Sequence, residues 1–504
     1  MNNIYNKLHP IDFIIVAVYL LLLFIIGYLA SFGKKKKGDN LFLAGNSLNW
    51  YNIGFNMWGT NVGPSSLLAF ASIGYSTGIV AGNFEWYAFV FLLLLAMVFA
   101  PRYIASKVTT MPEFMGKRYG DSTRNILAWY ALVKILISWL SLGLFAGIFT
   151  FAGGLKAIAR VNVFQMILLI LVSLTLSYLG LKKVGGINAM FHKVPAGYWN
   201  LIHPASDTKY PWNAILLGYP VAAVAFFCTD QAMVQSVLGA KNLEQGQLGV
   251  NFIGWLKVLA LPLFILPGIL CFILFPGLKD PNEAYMTMVT NLFPPGMNGL
   301  VIVVLIAVLV GTIGSSLNAL SAVFTTDLYV KKVNPQATNR QVIKVGRITV
   351  VAGCIFAVLM ALAIDNIKGL NLFDIFQSVL GFIAPSLAVV FLLSVFWKRT
   401  TKKAVNAILS YGSAFSLGTG VLYLWILTPD KYHFWPHYLL LSFYIFVVLL
   451  VTAVIISLAD KLPVTNGQNM TAADMPVTSR RVKILFALLG LAIFGLYFFF
   501  NDFK

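Results

Sequence analysis

Charge is what this chain has least of. Only 11% of its 504 residues are Asp, Glu, Lys or Arg, against roughly 25% in a soluble domain. That shortage excludes a soluble enzyme, a disordered chain and a nucleic-acid binder of ordinary type. Acid is scarcer than base: 17 acidic residues face 36 basic ones, for a formal net charge of +19. In an apolar chain such an excess is first a topology code, and no nucleic-acid partner is expected from it. Cysteine is nearly absent too. Cys228, Cys271 and Cys354 each lie inside an apolar run, which leaves neither a disulfide framework nor a metal-ligand spacing. No nucleophile–base constellation, phosphate loop or metal cluster appears, so no enzymatic reaction is expected. What fills the chain instead is apolar: 59% of residues are hydrophobic and the mean hydropathy is +0.82.

That material falls into runs long enough to cross a bilayer. We read thirteen, at about 11–32, 50–75, 80–101, 125–152, 161–181, 213–237, 250–276, 298–329, 346–364, 370–397, 404–427, 437–459 and 482–501. The expectation is an all-α, multi-pass protein of the cell (plasma or inner) membrane, with the lipid bilayer as its constant partner. The longest polar stretches, 182–212 and 460–481, are loop-sized and leave no room for a soluble domain. Lys34–Lys37 follow the first run, and Arg102, Lys107, Lys117, Arg118 and Arg124 follow the third. Further clusters stand at 331–347, 398–403 and 461–483. By the positive-inside rule these loops are cytoplasmic and the N-terminus is outside. The early and late basic loops share a side only if an even number of crossings separates residues 125 and 160. The 28 residues from Asn125 to Ala152 suffice for one.

Two runs carry helix breakers at membrane depth. Asn61-Val62-Gly63-Pro64-Ser65-Ser66 interrupts the second, and Gly218-Tyr219-Pro220 is expected to break the sixth. Irregular backbone at that depth survives only when buried in protein or lining a cavity, and paired breaks point to a transporter site. The ionisable residues inside apolar runs are Glu85, Lys134, Asp230, Lys257, Asp327 and Asp374. Each is costly in lipid unless paired or hydrated. Asp327, beside Tyr329 and a Lys pair, reads as a solvated segment end. Glu85, Lys134 and Lys257 read as deep, either holding a solute or locking helices as an ion pair. Asn61 and Gln377 add groups able to hydrogen-bond a neutral hydroxylated ligand.

These residues belong to longer matching stretches: LAGNSLNW (43–50), GNFEW (82–86), TMPEF (110–114), CTDQAMVQ (228–235), WLK (255–257), LPGI (266–269), FTTDLY (324–329), FDIFQS (373–378) and VFLLSVFWKR (390–399). Through them nearly the whole chain resembles the solute:sodium symporter family, and most closely its sodium/glucose cotransporter-like branch. The resemblance implies an inverted-repeat (5+5, LeuT-like) transporter fold working by alternating access. One extra N-terminal helix lies at 11–32, a shortened first repeat at 50–181, a second repeat at 213–397, and extra C-terminal helices at 404–501. It implies Na+ as the coupling ion and a small sugar or polyol as the substrate. Asn61, Glu85, Lys257 and Gln377 match positions that bond sugar hydroxyls. Ser66 stands where the family has a larger polar contact. Phe226 matches an aromatic, usually Tyr, that gates the sugar from the inner side. For the cation, the carbonyls of Gly59, Val62 and Val308 and the hydroxyl of Thr312 match the ligand set.

The chain also departs from that pattern. Gly311 replaces one of two adjacent hydroxyl residues, and Asn162 replaces an acid that serves a second sodium site in some members, so at most one Na+ per cycle is expected. Two polar sugar-contact positions fall at Ala88 and Ala223. Between LFAG (144–147) and GGLKA (153–157) about one crossing of the family pattern is missing. A symporter is therefore the first expectation, for a sugar, a polyol or another small organic solute. The alternative is a non-transporting sensor or an inactive relic of the same fold. Oligomeric state is not legible in the sequence.

Overall fold

A computed structural model describes residues 9–31, 41–137, 144–365, 372–429, 431–460 and 476–501. Among the described residues every regular element is a helix, and pairing between extended segments is limited to two isolated bridges. Eight helical stretches are long and apolar enough to cross a bilayer. They become nine if the pair Leu243–Val258 and Leu261–Leu274, bent by 42°, is one span. One stretch, Ser66–Ala105, runs through parts of two expected segments, so this number does not test the thirteen read from the sequence.

The elements that build the site are α1 (Pro10–Ser31), α2 (Trp50–Asn61), α3 (Pro64–Thr77), α4 (Gly82–Trp86), α5 (Asp121–Ile137), α6 (Leu144–Val184), α7 (Trp212–Ala223), α8 (Gln231–Leu238), α9 (Leu243–Val258), α10 (Met297–Val323) and α11 (Leu372–Phe396). At the centre α2 packs on α6, α9 and α10, while α6 also packs on α1 and α10.

The first break is where the sequence puts it. α2 ends at Asn61, and Val62 (φ −87°, ψ 105°) and Gly63 (φ −97°, ψ 165°) are extended. Pro64 then opens α3, where its missing N–H and fixed φ cost nothing. The second break is not at Gly218-Tyr219-Pro220. Pro220 lies inside α7, and the chain leaves the helix only at Asp230 (φ −66°, ψ 127°), after a π-helical stretch over 224–229. The helix survives because the carbonyl that Pro220 cannot serve, that of Leu216, accepts from the Tyr87 hydroxyl (3.4 Å). Gly218 has a packing reason: a Cβ there would strike the Leu439 carbonyl.

Close backbone approach also fixes how α3 meets the helix Leu266–Leu274. A Cβ on Gly268 would collide with the Ala71 carbonyl. Because the obstacle is backbone, Gly268→Ala should destabilise by about 1–3 kcal/mol or more. Thermal unfolding of the purified variant checks this, and an unchanged midpoint would mean that the two helices are free to separate.

The topology conflict in the sequence resolves in part. Arg124 pairs with Asp327 (2.6 Å) and Lys331 with Asp121 (3.0 Å), so the early and late basic loops share one end of the bundle. Phe42 lies against Gly346 at that same end, and Lys156 and Arg160 line a cavity with Ser47, Asn49 and Asn52. Helix is described over Asp121–Ile137 and over Leu144–Val184, the latter kinked at Gly154 (φ 57°), and residues 138–143 lie outside the described residues. Residues 121–124 and 156–160 come back to the same end.

A candidate substrate and cation site

Two clusters flank the α2–α3 break. In the first, the Lys257 ammonium, in the last turn of α9, donates to Asn61 Oδ1 (2.6 Å) and Glu85 Oε2 (2.7 Å). It also faces the Phe227 ring at 5.2 Å from the centroid. Lys257 and Glu85 are only 2% and 5% exposed, so neither charge has water to fall back on. Each residue comes from a different element: Asn61 ends α2, Glu85 sits on α4, and Phe227 on the π-helical stretch after α7. Tyr219 closes the neighbourhood by donating to the Phe84 carbonyl (2.6 Å).

In the second cluster the Thr312 hydroxyl, on α10, lies 3.1 Å from the Gly59 carbonyl oxygen, 3.2 Å from that of Val62 and 3.1 Å from that of Val308. Gly59 and Val62 are the carbonyls whose helical partners the break removes. Val308 and Thr312 are one turn apart and point to the same spot. A hydroxyl has one proton. Three carbonyl oxygens converge on it, so two lone-pair sets remain unserved, and the group presents four neutral oxygens to a common centre. Hard cations take such donors. Among the described residues no group of three His, Cys, Asp or Glu offers an alternative metal site.

The structure thus brings Asn61, Glu85 and Lys257 together, and Gly59, Val62, Val308 and Thr312 together. Ser66 is half-buried in the first turn of α3, and its N–H donates to the Gly63 carbonyl (3.1 Å). Phe226 is half-buried and meets Phe227 edge-on at 5.0 Å. Gln377 belongs to α11, but its side chain, like that of Asp374, lies outside the described residues. Ala88 and Ala223 are buried and offer no polar group, as the sequence implied.

Lys134 forms a separate ion pair, with Asp230 (2.6 Å), which also caps α8 through the N–H groups of Ala232 and Met233. One sequence expectation is corrected. Asp327 is not a solvated end. It is fully buried, accepting from Arg124 Nε (2.6 Å) and Thr110 Oγ1 (2.7 Å). The Lys pair beside it misled, since Lys331 turns outward to Asp121. Because the pair is buried, Arg124→Gln should lower stability by about 3–5 kcal/mol, and the double change with Asp327→Asn should recover most of it. Denaturation midpoints of the three proteins read this out; equal midpoints would mean that the carboxylate is hydrated.

Sequence reasoning missed Phe227, Asn56 and Ser236. Phe227 gave no signal beyond adjacency to Phe226. Asn56 was findable as an amide in an apolar run; it is fully buried and donates to Ser236 Oγ (2.7 Å).

Known proteins resemble this chain in sequence and in fold. The model of the sodium:solute symporter family matches residues 41–147 and 133–410, two stretches that overlap where the chain is short. A sodium/glucose cotransporter of Vibrio parahaemolyticus is 27% identical over 547 aligned positions, covering 97% of this chain and 99% of the relative. The aligned length exceeds the 504 residues here, so the relative carries residues this chain lacks. Human sodium/glucose cotransporter 4 is 29% identical over 82% of this chain and 69% of its own length. Human sodium/myo-inositol cotransporter 2 is 29% identical over 79% and 68%. A solved Na+-coupled sialic acid symporter, in a substrate-bound outward-open state, superposes with a TM-score of 0.75 at 18% identity, over 90% of this chain and 98% of that one. The last match shows the fold, and with it the expected helical transporter architecture. The family works by sodium-coupled transport and not by enzymatic turnover. With its model matched over most of the sequence and its fold shared, this chain belongs to the sodium:solute symporter family.

Proposed function

We propose that this symporter imports a small neutral sugar or polyol, with one Na+ per cycle bound between α2 and α10. The observation that carries the reading is the Thr312 hydroxyl ringed by three carbonyl oxygens, two of them freed by the helix break. A cation there ties α2 to α10 and stabilises the conformation in which the neighbouring solute cluster is assembled. Sodium and solute then bias one equilibrium together. Inward Na+ movement contributes about 2.3 kcal/mol per 100 mV of membrane potential, plus the concentration term.

The solute cluster supports a neutral hydroxylated ligand. Lys257 and Glu85 cancel in charge, leaving a dense set of donors and acceptors with Asn61 and no unpaired charge to hold an anion. In this reading Asn61, Glu85, Lys257 and Gln377 bond hydroxyls, Ser66 lines the site, and Phe226 closes it from the inner side. Relatives named for glucose and myo-inositol agree with that chemistry. The N-terminus lies outside the cell membrane, and the end bearing Arg124, Lys156 and Lys331 is cytoplasmic.

A second reading, a sensor or relic that binds without flux, is favoured by the shortened stretch around 138–153 and the two overlapping family matches there. Reconstituted vesicles separate the two. The symport reading expects Na+-driven accumulation of glucose or myo-inositol; the sensor reading expects binding of the same solutes with no net entry.

A further inference from the structure

We propose that the amide oxygen of Asn162 is a fifth cation ligand in this chain, filling the space left by the missing side chain at position 311. The inference rests on the cation site proposed above and extends it to a residue on a third helix.

Asn162 is fully buried on α6. Its Nδ2 donates to Asn56 Oδ1 (2.7 Å), and Asn56 Nδ2 donates in turn to Ser236 Oγ (2.7 Å). This relay turns the other end of the amide, Oδ1, away from Asn56. Among the described residues that buried oxygen accepts no hydrogen bond. Buried amide oxygens are usually partnered; those of Asn125, Gln165, Gln235, Gln247 and Asn298 are also unpartnered among the described residues, so what singles out Asn162 is where its oxygen stands.

Its location says which ligand. A Cβ built on Gly311 would stand 2.5 Å from Asn162 Oδ1 and 3.3 Å from the Gly59 carbonyl oxygen. The amide oxygen therefore sits where a side chain of residue 311 would go, and that same space borders the Gly59 carbonyl oxygen of the cation cluster; the Asn162 amide also lies against Gly59, its Oδ1 3.3 Å from a Cβ built there. Only glycine at 311 leaves that space. The amide carbonyl is a hard, neutral oxygen donor of the same class as Gly59, Val62 and Val308. Gly311 and Asn162 thus act as a pair: the bare backbone on α10 opens a space, and the amide oxygen from α6 fills it.

The test uses the full-length protein and Na+ alone, so that no solute need be known. Thermal unfolding is followed against Na+ concentration, with choline holding ionic strength constant, and the half-effective Na+ concentration is read. Asn162→Ala should raise that concentration about tenfold or more, as expected when one of few oxygen ligands is lost. Gly311→Ala should do the same while keeping Asn162, because the new Cβ displaces Oδ1; it carries the test if Asn162→Ala does not fold. The double variant Asn162→Ala, Gly311→Ser should return close to the parent, since a hydroxyl again faces the site. Half-effective concentrations unchanged or lowered in Asn162→Ala and Gly311→Ala would overturn the assignment, including the case in which the paired amides are flipped and Nδ2 faces the cluster. Thr312→Ala, run beside them, separates the failures. If it too leaves the Na+ response intact, the cation site itself is misplaced; if it alone loses the response, only Asn162 is.

Discussion

Thr312→Ala removes the sodium dependence of uptake and leaves a folded protein. Among the described residues the hydroxyl is the side-chain donor that comes within 3.2 Å of all three oxygens, those of Gly59, Val62 and Val308. Without it the carbonyls of Gly59 and Val62 on one side and of Val308 on α10 lose the hydroxyl that all three approach. Sodium affinity should drop by at least about tenfold, since hard-cation affinity follows ligand number and site rigidity. Thr312→Ser keeps the oxygen and should keep the response. The half-hidden position of Thr312 makes the loss of one methyl and one hydroxyl tolerable to the fold. Solute uptake measured against external Na+ reads the effect, and sodium stimulation surviving in the alanine variant would place the ion elsewhere.

The second large effect concerns Lys257. Lys257→Met leaves the Glu85 carboxylate, 5% exposed, without its cation and should destabilise by about 3–5 kcal/mol. Adding Glu85→Gln removes the stranded charge and should restore most of that stability. Uptake should stay lost in the double variant, because the ammonium donors of Lys257 and the charged acceptor of Glu85 are both gone. This comparison separates a solute anchor from an ion pair that merely locks α4 to α9. Transport returning together with stability would assign the pair to the lock.

Much of this arrangement was legible in the sequence because its signals are local. Val62-Gly63-Pro64 breaks a helix through backbone chemistry alone, and that break appears at the expected residues. Glu85 and Lys257 stood out because charge is rare in apolar runs, and they meet at 2.7 Å. What the sequence hid depends on distant partners. Pro220 looked like a second break, but Tyr87, 133 positions earlier, serves the carbonyl it frees. Asp327 looked solvated because its partners, Arg124 and Thr110, are more than 200 positions away. The partner of Lys134 could not be guessed from spacing either, since Asp230 lies at the start of α8, on another helix. That the space beside Gly311 holds the Asn162 amide depends likewise on a residue about 150 positions away. Local backbone rules travel with the sequence, whereas the pairing of buried polar groups is decided by the packing of α2, α6, α9 and α10.

The measurement that bears most directly on the account is solute entry into sealed vesicles reconstituted with the full-length protein, under an inward Na+ gradient. The account predicts accumulation of a neutral polyol such as glucose or myo-inositol above its external concentration, abolished by a sodium ionophore and by Thr312→Ala. Entry that ignores the Na+ gradient, or binding of these solutes with no entry at all, would contradict it.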